Sequence, residues 1–184
     1  IQLKRVELML TESFDLLYQQ HFAEIYWLCY KMTYNKQDAE ELADETFVKA
    51  YFNLAKFDSQ KGSFRTWIFA IAVNLCRDFL KSADFKKRQQ TDPIDEQYVD
   101  KLPYPVDKTI DDPELLKIVE HCMNKLLIDE KMAVTMYHLH GLVLQEIAQI
   151  LGKNSPNSAK KRIKVAENKL KICLEQHGFS GDDF

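Results

Sequence analysis

From residue 14 onward the apolar positions fall three and four apart: Phe14, Leu17, Tyr18, Phe22, Ile25, Leu28, Cys29 and Met32. That spacing lines one side of an α-helix, so a helix is predicted over 11–34, with Asn35 as its stop. A second stripe follows, Ala39, Leu42, Ala43, Thr46, Phe47, Ala50 and Leu54. Asp38 opens it, and Glu41 three residues on reads as a capping box. The polar run 57–63 breaks the pattern. Ser63 then caps a third helix with Phe64, Trp67, Ile68, Ile71, Ala72, Leu75 and Phe79 inside, and this helix runs into a basic stretch over 81–88.

The pattern then lapses. Pro93, Pro103, Pro105 and Pro113 fall among acids and polar residues. Proline stops a helix, and charge of one sign resists compaction, so this segment reads as a linker. Asp112-Pro113-Glu114 restarts the helical pattern with a cap, a first-turn proline and an acid at the positive helix end. Helices are predicted over 114–127, 129–139 and 142–151. A turn at Gly152-Lys153-Asn154 and a Ser155-Pro156 cap lead into a long helix ending near residue 176. The expectation is all-α: a helical domain over 1–88, a Pro-rich acidic linker over 89–112, a helix-turn-helix domain over 113–177 and a tail over 178–184.

Composition supports this outline. Five glycines and five prolines in 184 residues are too few for the many turns of an all-β fold. No apolar run nears the roughly 18 residues that span a bilayer, and no leader pattern is read, so a cytoplasmic protein is expected. Cys29, Cys76, Cys122 and Cys173 are widely spaced in apolar, helix-like contexts, and all four are expected to be buried free thiols.

Charge changes the picture more. The net value of −3 argues against a nucleic-acid binder. Along the chain, however, the charge is segregated. Residues 38–45 carry five acids and no base; residues 46–88 carry nine bases against three acids. Residues 89–114 carry eight acids against two bases, and residues 153–171 carry seven bases against one acid. Two basic blocks separated by acid is a functional pattern.

Three surfaces could carry chemistry. On the last helix, Ala159, Ile163, Ala166 and Leu170 share one face, and Asn157, Lys161, Lys164 and Asn168 lie about 140–200° away. Amide and ammonium donors there suit base edges and phosphates of a duplex, against the alternative of a solvated basic helix. Phe57, Phe64 and Trp67 flank a loop holding Ser59, Gln60, Lys61 and Ser63, with Arg65, Arg77 and Lys81 beyond. Aromatics mixed with bases suit a single strand, whereas the plainer reading makes Phe64 and Trp67 core residues. Glu41, Asp44 and Glu45 form an acidic face, either simply solvated or a dock for a basic partner. His121, Cys122, His138 and His140 lack the paired short spacing of a zinc site, so no metal is expected. No nucleotide-binding or hydrolase motif occurs, so no catalytic residue, cofactor or small-molecule substrate is expected.

The segment from Phe14 through the run 38–50, together with Phe64-Arg65-Thr66-Trp67-Ile68-Phe69-Ala70-Ile71-Ala72-Val73-Asn74 and Arg77-Asp78-Phe79-Leu80-Lys81, resembles region two of bacterial sigma factors. Residues 142–171 resemble their region four. Two such domains with only a short linker match the extracytoplasmic-function group. The resemblance implies a transcription initiation factor that binds core RNA polymerase and promoter DNA. It implies polymerase docking through Asp38, Glu41, Asp44 and Glu45. It implies reading of an opened −10 strand by Ser59, Gln60, Lys61, Ser63 and Phe64, with Asn74, Arg77 and Lys81 near the backbone. It implies reading of the −35 duplex by Asn157, Lys160, Lys161 and Lys164. An anti-sigma factor is the further partner it implies, and the acidic linker would run toward the polymerase channels. The turn 152–158 is one residue longer than the usual family form, and Glu167 and Asn168 stand where the family carries bases. A ligand-sensing regulator with an operator-binding domain is the alternative, but it has no use for an acidic helix followed by an aromatic-basic loop.

Overall fold

The computed structural model describes residues 2–82 and 113–179, with side chains from residue 13 and from residue 114 onward. These residues form seven α-helices: α1 (Gln2–Thr33), α2 (Lys36–Phe52), α3 (Phe64–Lys81), α4 (Pro113–Asn124), α5 (Ile128–His138), α6 (Leu144–Ile150) and α7 (Pro156–Gln176). A 3₁₀ turn, Leu54–Lys56, follows α2. The chain divides into two compact units at Asp78, so that α1, α2 and α3 up to its last turn fall in the first and α4 to α7 in the second. The proposed linker over 89–112 lies outside the described residues, as does the tail beyond Phe179.

The first unit is built on the two predicted stripes. Ile25, Leu28, Cys29 and Met32 of α1 meet Ala39, Leu42, Ala43, Phe47 and Ala50 of α2, all buried. Small residues at 39, 43 and 50 let the helices approach closely. The junction between them differs from the expected form. Asn35 is a start, not a stop: its side chain accepts the Asp38 backbone N–H at 3.0 Å and caps α2. Asp38 therefore lies inside the first turn and is buried, at 5% exposure. Tyr34 makes the reversal at φ 51°, a left-handed conformation unusual for a tyrosine. α3 begins as expected, with Ser63 Oγ accepting the Thr66 N–H at 3.1 Å. Its buried face is Ile68, Phe69, Ala72, Val73, Leu75 and Cys76. Phe64, Trp67, Ile71 and Phe79, expected inside, are only half-buried.

The second unit is a bundle in which α7 packs on α4, α5 and α6. Ala159, Ile163 and Ala166 of α7 close on Met132, Met136, Ile147 and Ile150. The turn between α6 and α7 is a Schellman close: Lys153 N–H reaches Ala148 O at 2.7 Å and Gly152 N–H reaches Gln149 O at 3.0 Å. Gly152 sits at φ +66°, which only glycine adopts without strain.

The cysteines depart from expectation in this unit. Cys29 and Cys76 are buried free thiols. Cys122 of α4 and Cys173 of α7 instead form a disulfide across 51 residues. Their spacing carried no signal because the partners belong to different helices, brought together only by packing.

Gly152→Ala meets open space, since no heavy atom lies within 4 Å of the added Cβ. Its cost is therefore backbone strain alone, about 1 kcal/mol in a denaturant melt of the second unit.

Candidate nucleic-acid interface

Three rings meet at the start of α3. Phe57, Phe64 and Trp67 have centroids 5.4 to 5.7 Å apart, and the half-buried Phe64 also lies 5.7 Å from His21 of α1. The loop before α3 is folded by Asp58, which accepts the Gln60 N–H at 3.0 Å and pairs with Lys61 at 3.4 Å. Ser59, Gln60, Lys61 and Ser63 are all exposed on it. Stacking surface and polar groups thus stand side by side, as a splayed-out base requires.

The eight residues of this set do not form one pocket. Asn74, Arg77 and Lys81 lie further along α3, about 15–25 Å from Phe64 at 1.5 Å per residue. Trp67, Asn74 and Lys81 repeat at seven-residue steps and so share a face. Arg77 donates to Asn74 Oδ1 at 2.9 Å, which couples the two. Arg65 is used internally: Nε and Nη2 grip the Glu24 carboxylate at 2.8 to 3.2 Å, and its guanidinium lies 5.3 Å from the Phe69 ring.

On α2, Glu41, Asp44 and Glu45 are exposed, and Asp38 is set apart by burial. Glu45 pairs with Lys49 at 2.9 Å. The Tyr18 hydroxyl reaches Asp44 at 3.5 Å; burial first, and the Asp44 carboxylate second, hold the Tyr18 pKa above its ordinary value. The same face continues in four-residue steps to Val48 and Phe52, 53% and 78% exposed. Sequence reasoning missed these apolar members, although their i+4 spacing from Asp44 was the available signal.

On α7, Asn157, Lys160, Lys161, Lys164 and Asn168 are exposed, opposite the buried stripe. They line an open depression of about 480 Å³. Three further bases, Lys153 of the preceding turn and Arg162 and Lys169 of α7, pair with acids of α5. Lys153 and Arg162 lie 3.8 and 3.7 Å from Asp129, and Lys169 lies 2.7 Å from Glu130. Glu167, odd on a basic helix, pairs with His138 Nε2 of α5 at 2.9 Å.

Residues 17–86 match the family model of sigma-70 region 2, and residues 116–170 match that of sigma-70 region 4. The chain is 31% identical to the ECF RNA polymerase sigma factor BldN of Streptomyces coelicolor, over 78% of this chain and 54% of that protein. It is 27% identical to SigE of Mycolicibacterium smegmatis, over 90% of this chain and 63% of that protein. This chain belongs to the sigma-70 family, in its extracytoplasmic-function group. It spans between about half and two thirds of those two relatives. SigM of Bacillus subtilis, 24% identical, is matched over 96% of its length. The fold is that of the sigma factor RpoE from Bartonella quintana, solved with the anti-sigma factor NepR, at TM-score 0.68 and 20% identity over 89% of this chain and 98% of that one. It is also that of CnrH, solved with the cytosolic domain of CnrY, at TM-score 0.66 and 22% identity over 90% of each chain.

In this chain, among the described residues, one trio of possible metal donors comes together: Cys122, Cys173 and His177. His121, exposed beside buried Cys122, does not turn away from this trio as expected: its ring stands 5.4 Å from that of His177, while His138 is occupied by Glu167. No described helix is long and apolar enough to cross a membrane.

Because Arg65 is held by Glu24 and not directed outward, Glu24→Gln is expected to lower the stability of the first unit by about 1 kcal/mol. Chemical denaturation of the full chain, followed by tryptophan fluorescence, reads this.

Proposed function

We propose that this chain is a promoter-specificity factor that binds core RNA polymerase and directs it to particular promoters. The observation that carries the reading is a region 2 followed by a region 4 on one chain. The charge segregation and the aromatic cluster give those regions a physical task.

In this reading Glu41, Asp44 and Glu45 dock on a basic surface of core polymerase, with Val48 and Phe52 as the apolar continuation. Asp38 contributes indirectly, by shaping the first turn of α2. The loop residues Ser59, Gln60, Lys61 and Ser63, with Phe64, take a base flipped from the opened −10 strand. Asn74, Arg77 and Lys81 follow the backbone along α3. Asn157, Lys160, Lys161 and Lys164 of α7 enter the major groove of the −35 duplex. Each head binds weakly alone, and holding one raises the effective concentration of the other. RpoE was solved with the anti-sigma factor NepR, which supports an anti-sigma protein as a further partner. A cytoplasmic location goes with the same role.

Transcription in vitro with purified core polymerase tests this reading. Promoter-specific initiation is expected, and absence of core binding at low salt overturns it. The double substitution Asp44→Lys with Glu45→Lys should weaken core association by tenfold or more, roughly 1.4 kcal/mol, with unchanged helicity. Replacing Lys161 and Lys164 by alanine should flatten the log–log salt dependence of duplex binding by about 1 for each phosphate no longer neutralised.

A further inference from the structure

The basic face and the acidic face leave one chemically distinctive cluster unused. Cys122 of α4 and Cys173 of α7 meet on the side of α7 away from Lys161 and Lys164, their Cα atoms 5.7 Å apart. One ring nitrogen of His177 lies within 4.8 Å of both sulfurs. His177 Nδ1 lies 2.8 Å from the Cys173 carbonyl. A carbonyl only accepts, so Nδ1 carries a proton, and in the neutral ring Nε2 is the nitrogen that can take one. The ring of His121 stands 5.4 Å from that of His177, and both histidines are exposed. The cluster thus sits at the solvent rim, within one turn of the end of α7, where helices fray.

The first unit offers an internal contrast. Cys29 and Cys76 sulfurs are 3.6 Å apart, yet both residues are wholly buried. The hydrogen bond shared with Cys76 first, and burial second, hold the Cys29 thiol well above its ordinary pKa. That pair has neither access nor a base, so it stays as thiols. Cys122 and Cys173 lie against a base at the solvent rim.

We propose that Cys122 and Cys173 form a reversible thiol–disulfide site, closed by a hydroperoxide and opened by a small dithiol, with His177 as its proton acceptor. Cys173, the more exposed of the two, loses its thiol proton to His177 through a bridging water. Its thiolate attacks one peroxide oxygen; the O–O bond breaks, hydroxide leaves and Cys173 becomes a sulfenic acid. The Cys122 thiolate attacks that sulfur, the S–S bond forms and a second hydroxide leaves. The two thiol protons neutralise the two hydroxides, so with hydrogen peroxide two thiols are oxidised and two waters form. A dithiol reverses the bond by exchange and leaves as its own cyclic disulfide. Closing ties the first helix of the second unit to the last turn of the proposed recognition helix.

The test uses the full chain. The protein is reduced with dithiothreitol, exposed to hydrogen peroxide at a few equivalents, alkylated under denaturing conditions and mapped by mass spectrometry. Alkylated thiols are expected to fall from four to two, with the loss at Cys122 and Cys173 and full recovery on renewed reduction. The oxidised form should unfold roughly 10 °C higher than the reduced form, and Cys122→Ser should abolish that difference. His177→Gln should slow closure roughly tenfold while leaving the final thiol count unchanged, which a purely structural role would not do. Four thiols persisting after peroxide would overturn the proposal. So would oxidation at Cys29 and Cys76 instead, or one zinc per chain found by elemental analysis and shielding both sulfurs. Any effect on duplex affinity rests on the promoter reading above; thiol counting does not, so the two failures are distinguishable.

Discussion

The second unit turns on one carboxylate. Glu130 is buried at the start of α5, where it accepts the Leu127 N–H at 3.0 Å and Lys169 Nζ at 2.7 and 2.8 Å. The first bond sets where α5 begins, and the second fixes the rotation of α7 about its own axis. A buried charge left unpaired is costly, so α7 cannot roll without breaking this pair. Asp129, next to it, holds Lys153 and Arg162, while His138 at the far end of α5 takes Glu167. The acids of α5 thereby hold Arg162 and Lys169 of α7, and Lys153 of the turn before it. These are neutralised within the chain, and Lys160, Lys161 and Lys164 stay outward.

Much of this architecture is legible in the chain. The stripes Ala39 to Ala50 and Ala159 to Ala166 are buried as their spacing demands, because period 3.6 is a local property that packing had no reason to overrule. The helix-turn-helix is readable from Gly152 and Pro156, each placed where backbone chemistry leaves few alternatives. The junction at 34–36 is not, because Asn35 and Asp38 are both good caps, and only the left-handed turn at Tyr34 decides between them. Phe64 and Trp67 are ambiguous for a related reason. Helical spacing says which face a ring is on, but the degree of burial depends on Phe57, contributed from across a loop.

Long-range pairing is the part least visible. Glu24 with Arg65, Glu130 with Lys169 and Cys122 with Cys173 join residues 41, 39 and 51 positions apart. No local pattern encodes such partners. They exist because helices that bury their own stripes bring particular flanks together. The consequence for the candidate sites is concrete: Arg65, Arg162 and Lys169 fall within the two basic blocks of the sequence, and the structure gives each an internal acid.

The outer face of α2 grades from Glu41, Asp44 and Glu45 at one end to Val48 and Phe52 at the other. Charge acts over a Debye length and apolar contact only at touching distance. For a basic partner, the acids therefore govern how quickly and in what orientation it arrives. In that proposed docking, Phe52, exposed and without any charge of its own, would govern how long the partner stays. Under the proposed docking, arrival and residence would be assigned to different turns of one helix, so that selection could tune one without disturbing the other.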